Sequence, residues 1–190
     1  MMLAETLEAC QAEAFRRLAR GVADRLCPFH TPTLATIGAN GAPELRTLVL
    51  RGFDPAARTL RLHTDARSGK VAELSRDPRC ALHLYDPAAK LQLRIAGRAS
   101  VHGEDAVADA AWAASRPFSR MCYAILPAPG TQVDAPPPAP RDAEAGRGVF
   151  RVILLRFDRL EWLELAAGGH RRARFAWDED GLSESCWLVP

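Results

Sequence analysis

Three stretches of the chain carry side chains suited to binding chemistry. They are Arg46-Thr47-Leu48-Val49-Leu50-Arg51, then His63-Thr64-Asp65-Ala66-Arg67-Ser68-Gly69-Lys70, then Gln92 within LQLRIAGR. Arg67, Ser68 and Lys70 fall where a short helix begins, and free N–H groups with the helix dipole favour a phosphate there. Gly69 lets the backbone come close. Arginine offers a planar fork to phosphate oxygens and lysine a point charge. A lysine in the first helical turn opposes the dipole unless an anion is bound beside it. Taken singly, Arg46 and Arg51 read as solvent-facing charges and Gln92 as a water-facing amide. Their succession on neighbouring strands makes them a set: an anion site beside a slot for a planar ligand.

Other chemistries find little support. The five cysteines, at 10, 27, 80, 122 and 186, are odd in number and form no CxxC, so neither a disulfide framework nor a metal knuckle is expected. The histidines are scattered and no HExxH occurs, so no metal is expected. No catalytic Ser-His-Asp or paired-carboxylate arrangement is visible in the sequence. Of the 25 basic residues only Lys70 and Lys90 are lysines, and a net charge of +2 with dispersed arginines gives no nucleic-acid stripe. No apolar run reaches the length of a membrane span. The start, with Glu5 and Glu8, lacks signal-peptide character, so a cytoplasmic protein is expected.

The elements that must position these residues follow from periodicity. Leu3, Leu7, Cys10, Ala14, Leu18, Val22 and Leu26 predict an amphipathic helix over 3–25. Strands are predicted at 33–37, 44–51 and 59–64, the first two joined by an Asn40-Gly41 hairpin turn. A helix over about 67–76, with Asp65 as cap and Pro78 as stop, precedes strands 79–86 and 90–102, with Gly97 as a bulge. An Ala-rich helix is read over 103–115. The segment 127–148, with six prolines in its first fourteen residues, is a loop. Strands at 149–158, 159–165, 171–177 and 184–190 complete the sheet. The prediction is one domain over 1–190, mainly β with flanking helices (α+β), built as a closed or nearly closed antiparallel barrel.

With these motifs in order, TLATIGANGAPELRTLVLRGFD, LRLHTDARSGKVAEL and PRCALHLYDPAAKLQLRIAGRA, the chain resembles the FMN-binding split barrel of the pyridoxamine 5'-phosphate oxidase-like family. The resemblance runs from about Thr33 to Val101 and more weakly to Pro190. It implies that FMN is the cofactor and that Arg46, Arg67, Ser68 and Lys70 hold its phosphate. Thr47, Leu48 and Val49 would lie along the flavin, with His63 and Thr64 as a second pair of contacts and Gln92 at the pyrimidine end. Arg51 would stand where the oxidase has a substrate-reaching lysine. The resemblance further implies a homodimer with two flavins at its interface, Arg174 reaching the flavin of the other subunit.

The departures matter. The oxidases grip substrate with a C-terminal Arg-x-His, whereas here His170-Arg171-Arg172 exchanges the types. His170, Arg172 and Arg51 are the substrate candidates. An aromatic that precedes that grip matches Leu163 or Leu165, with Trp162 near. Cys122-Tyr123-Ala124 and Ala128-Pro129-Gly130-Thr131 are similar to a diverged branch of the family. The expected function is an FMN-dependent oxidoreductase acting on a small anionic substrate. The competing readings are a non-catalytic or sensory flavin binder and a haem-binding split barrel.

Overall fold

The computed structural model describes residues 5–190. In chain order the elements are α1 (Leu7–Ala23), β1 (Thr33–Ile37), β2 (Pro43–Thr47), β3 (Leu50–Asp54), β4 (Thr59–Asp65), α2 (Gly69–Arg76), β5 (Arg79–Asp86), β6 (Leu91–His102), α3 (Ala106–Ala113), α4 (Pro117–Arg120), β7 (Phe150–Ala166), β8 (Gly169–Trp177) and β9 (Leu182–Leu188). Every strand pair is antiparallel, in the order β2-β1-β5-β6-β7-β4-β3, with β8 on β7 and β9 on β8. No described helix is long and apolar enough to cross a membrane.

Two features differ from the sequence prediction and together make the architecture. The stretch 44–51 is not one strand. Residues 43–47 pair with β1, whereas 50–54 pair with β4 at the far end of the strand order. The chain crosses between them at Leu48-Val49, and the Leu48 N–H donates to the Pro32 carbonyl at 2.9 Å. The apolar run hid this seam, because its pattern reads the same whichever edge each half joins. β2 and β3 do not pair with each other, so the barrel stays split. Conversely, 149–158 and 159–165 are one strand. β7 pairs with β4 through Phe150–Arg156 and with β8 through Arg159–Ala166, while β6 follows it along both halves. Asp158 stands where the partner changes, and the ladder absorbs it as a bulge instead of a turn, so the strand runs on.

The bulge expected at Gly97 lies instead on the facing strand: Ala96 pairs with Arg159 and Gly97 with Phe157, so Asp158 of β7 is the extra residue and Gly97 sits opposite it. A Cβ at Gly97 would sit 2.1 Å from the Arg156 carbonyl oxygen and 2.6 Å from the Phe157 Cα. At the β1–β2 hairpin, Gly41 takes φ +82°, a conformation open to glycine without strain.

α1 begins at Leu7, capped by the Thr6 hydroxyl, which accepts from the Ala9 N–H at 3.2 Å. Residues 3 and 4 of the predicted helix lie outside the described residues. Its buried stripe, Cys10, Ala14, Leu18 and Gly21, covers the barrel. Phe15 meets Phe53 edge-on at 5.3 Å, and Phe157 meets Trp177 at 5.6 Å. A second small core joins Ala108, Ala111 and Trp112 of α3 to Phe150 and Val152 of β7. The segment 127–148 is irregular until a 3-10 turn over Glu144–Val149. It is fastened there, since Glu144 accepts from the Trp112 indole at 3.0 Å and pairs with Arg120.

Replacing Gly97 by Ala should destabilise the protein by about 3 kcal/mol or more, because the colliding atoms are backbone and cannot turn aside. Urea melts should show a lowered midpoint for Gly97→Ala and none for Gly148→Ala, where an added Cβ meets nothing within 4 Å.

Candidate functional site

The end of β4 and the start of α2 gather hydroxyls and cations around one point. Thr64 and Ser68 are buried, with Oγ1 and Oγ 3.1 Å apart, and the Ser68 hydroxyl donates to the Asp65 carbonyl at 2.7 Å. Lys70 Nζ donates to Thr64 Oγ1 at 3.3 Å. Burial first, and then the Arg46 guanidinium, push the Lys70 ammonium below its ordinary range, although the Glu73 and Asp65 carboxylates pull the other way. Arg46 reaches in from β2, pairs with Glu73 of α2 at 2.8 Å and donates to the Thr36 hydroxyl. An anion placed here would relieve the repulsion between the two cations.

The helix start is arranged differently from the prediction. α2 begins at Gly69 rather than 67, and Ser68 occupies the cap position without a side-chain cap bond. Asp65 does not cap the helix, because its carboxylate is taken by Arg67. The Arg67 backbone N–H donates to it at 2.8 Å, Nε at 3.0 Å and Nη2 at 2.6 Å. Arg67 Nη2 also donates to the carbonyls of Tyr123, at 3.3 Å, and Ile125, at 3.0 Å. Arg67 therefore ties the chain after α4 to the barrel, while Arg46, Thr64, Ser68 and Lys70 form the cradle.

Thr47, Leu48 and Val49 stand at the seam beside this cradle, Thr47 exposed and the other two half-buried. Beyond the seam, Arg51 and His63 line a cavity of about 260 Å³ between the end of α1, the β3–β4 hairpin and the α3–α4 connection. Arg25, His30, Arg61 and Arg116 line it too. His63 is held down to about 4 by burial first and then by Arg51 and Arg61, so its ring is neutral at pH 7. The ring stands edge-on to Phe150 at 4.9 Å.

The remaining candidates lie elsewhere on the sheet. Cross-strand register puts Thr47, Thr33, His83, Arg94, Glu161 and Arg174 in one row. Arg174 is thus five strand spacings from Thr47, roughly 24 Å along the sheet. It bonds Glu184, with Nε at 3.2 Å. The next row holds Gln92, Leu163 and Arg172. Gln92 bonds His83 at 3.0 Å, Arg172 pairs with Glu161 at 2.7 Å, and His170 is exposed opposite Leu165. One chain therefore assembles three separate groups: the cradle, the cavity and this sheet patch.

Sequence reasoning missed Arg25, Arg61 and Arg116. Arg61 had a signal, as it lies two residues from His63 on one strand face. Arg25 and Arg116 had none, because only the tertiary fold brings them together. A Ser-His-Asp chain also exists. Ser100 Oγ lies 2.9 Å from His102 Nε2, and His102 Nδ1 lies 2.8 Å from Asp105 Oδ2. Asp105 simultaneously caps α3 by accepting from the Ala108 N–H at 2.9 Å.

Comparison with known proteins bears on these groups. Residues 12–103 match the family model described as pyridoxamine 5'-phosphate oxidase, FMN-binding domain. The chain is 31% identical over 165 residues to pyridoxine/pyridoxamine 5'-phosphate oxidase 2 of Arabidopsis thaliana, covering 81% of this chain and 82% of that protein. Its match to the pyridoxine/pyridoxamine 5'-phosphate oxidase of Pseudomonas paraeruginosa is 40% identical over 65 residues, only 34% of this chain and 29% of that enzyme. Among solved structures, a pyridoxamine 5'-phosphate oxidase-related, FMN-binding protein of Nostoc punctiforme superposes with a TM-score of 0.78 at 26% identity, over 95% of this chain and 96% of that one. PhzG of Burkholderia lata shares the fold, with a TM-score of 0.73 at 21% identity over 95% and 92% of the two chains. The cradle fits the phosphate monoester of FMN, since two cations, only one of them in an ion pair among the described residues, and two buried hydroxyls meet at a helix start. The chain belongs to the pyridoxamine 5'-phosphate oxidase-like family of FMN-binding split-barrel proteins, and FMN is its cofactor.

Proposed function

We propose that the protein is an FMN-dependent oxidoreductase acting on a small anionic substrate, and that it works as a homodimer. The observation that carries the cofactor assignment to particular residues is the convergence of Arg46, Thr64, Ser68 and Lys70. FMN supplies the electron-transfer chemistry, and the protein contributes position and electrostatics. Arg46 and Lys70 neutralise the phosphate, while Thr64 and Ser68 orient its oxygens. Leu48 and Val49 offer backbone along the flavin at the seam. The cavity holding Arg51 opens beside His63, one residue from Thr64 of the cradle, and its positive lining supports an anionic substrate.

The distance of Arg174 and Gln92 from their own cradle supports the dimer. These residues serve a flavin only if a second copy brings its cradle to the sheet patch. His170 and Arg172 reach the substrate by the same route. The patch is polar and prearranged, with Arg172 held by Glu161 and Arg174 by Glu184.

Lys70→Ala and Arg46→Ala should each weaken FMN binding about 10- to 150-fold, the worth of a charge-assisted hydrogen bond of roughly 1.5–3 kcal/mol. Titration of flavin fluorescence reads this, with Arg141→Ala on the exposed loop as a neutral control. Unchanged affinity in both variants would remove the phosphate assignment.

Light scattering of the FMN-loaded protein should give the mass of a dimer. Arg174→Ala should lower flavin affinity although it lies far from its own cradle. A monomer that retains FMN would contradict the shared site.

Pyridoxamine 5'-phosphate should be a poor substrate. The exchange of types between His170 and Arg172 displaces the guanidinium by two residues, about 6–7 Å along a strand. Arg172 is also already paired with Glu161. Oxygen-dependent formation of pyridoxal 5'-phosphate should fall far below the ordinary enzymatic turnover of about 10 s⁻¹. Turnover near that value would make the protein a vitamin B6 oxidase.

A further inference from the structure

We propose that Arg61 and His63 form a second anion-binding position in the cavity that Arg51 lines, so that the ligand accepted there carries two separate acidic groups. The inference rests on the reading that this cavity receives the substrate.

The lining is unusually one-signed. Arg25, Arg51, Arg61 and Arg116 all face the cavity, and no Asp or Glu lines it. None of the four is in an ion pair among the described residues, whereas Arg46, Arg67, Arg172 and Arg174 each have a carboxylate partner. Guanidinium groups stay charged at any working pH. A monoanion would leave three of them unanswered.

Two buried nitrogens on this lining lack partners. Arg61 Nε and His63 Nε2 are out of reach of solvent and make no hydrogen bond. A buried polar group left unpaired costs about 1–3 kcal/mol, so a small turn of either side chain toward a ligand acceptor in the cavity restores what folding gave up. The two residues alternate onto one face of β4, roughly 6–7 Å apart along the strand.

Both are also held in place. Arg61 Nη2 donates to the Arg51 carbonyl at 3.0 Å. Its guanidinium lies over Gly52, where an added Cβ would be 3.0 Å from Nε. His63 is braced by the Phe150 ring. Across the cavity, His30 is fixed by a 2.7 Å bond from Nδ1 to the Gly21 carbonyl, and Arg116 arrives from the other wall. These donors sit on separate elements, so one small group cannot satisfy them all. A volume of about 260 Å³ holds about eight or nine water-sized groups at roughly 30 Å³ each. That is the size of a short dicarboxylate or a small phosphorylated acid.

The test uses the full chain loaded with FMN, with acetate, succinate and inorganic phosphate as probes at fixed ionic strength. Calorimetry should show succinate binding at least about tenfold more tightly than acetate or phosphate. Arg61→Met should reduce succinate affinity to the level of acetate, with flavin content, measured after heat release, unchanged. Equal binding of succinate and acetate overturns the inference, as does a preference that survives Arg61→Met. Phosphate binding as tightly as succinate overturns it too, by placing both charges at one point. If Arg61→Met does not fold, Arg61→Lys decides, because it keeps the charge and removes the guanidinium fork. It should lower succinate affinity severalfold, and an unchanged value counts against the proposal. The flavin absorbance is read in the same titration: a succinate preference lost in Arg61→Met but leaving the flavin spectrum unmoved would sink the substrate-cavity reading alone.

Discussion

The ladder between β6 and β7 is the constraint on which the rest of the molecule depends. Twelve residues of β6 run beside the seventeen of β7, and every other strand hangs from this pair. β5, β1 and β2 extend from β6, whereas β7 gives its other edge first to β4 and β3 and then to β8 and β9. Such a ladder must twist, and Asp158 of β7 bulges out opposite Gly97 where β7 changes partners. The missing side chain at Gly97 lets the Arg156–Phe157 backbone pass at a distance no other residue permits. The two functions of β7, closing the barrel and carrying a projecting sheet, meet at that point.

The ladder also explains where the polar groups stand. By sending β4 to one half of β7 and β8 to the other, it separates the cradle at the end of β4 from the arginines of β8. The seam at Leu48-Val49 then carries β2, and with it Arg46, back toward the start of α2. The cationic cluster results from two sheet edges brought together by a two-residue crossing. Its hydroxyls are buried because they belong to the last turn of chain before a helix packed on the sheet. Burial is what makes the nearby ammonium costly to keep charged and receptive to an anion.

Much of this was legible in the sequence for physical reasons. Alternation exposed β1, β4, β5 and β6, helical spacing exposed α1, Asn40-Gly41 marked a turn, and Gly97 marked the point where the ladder is irregular, though the extra residue is in the facing strand. The cradle residues were legible because their types are chemically specific and they lie within one helix start. The seam was not, since Leu48, Val49 and Leu50 are apolar on either side of the crossing. The long β7 was not, because alternation cannot tell one partner from two. The cavity arginines stayed hidden for the opposite reason, being ordinary residues scattered over some ninety positions. Arg67 was read as an anion ligand by its place in the motif. In the fold it pairs with the carboxylate two residues away, as Arg46 pairs with Glu73.

That arginine sets the terms on which the proline-rich segment can change over evolution. Its guanidinium grips the carbonyl oxygens of Tyr123 and Ile125, atoms that every amino acid presents alike. An anchor that reads main chain alone is blind to side-chain identity, so the tie from the barrel does not restrict what residues follow it. Downstream, the next firm attachment is Glu144, held by Trp112 and Arg120. Between these two clamps the chain can drift in composition and length with its ends fixed, and lengthening such a loop costs only about 0.6 kcal/mol per doubling. The fold thus contains a stretch in which sequence novelty accumulates at low energetic risk.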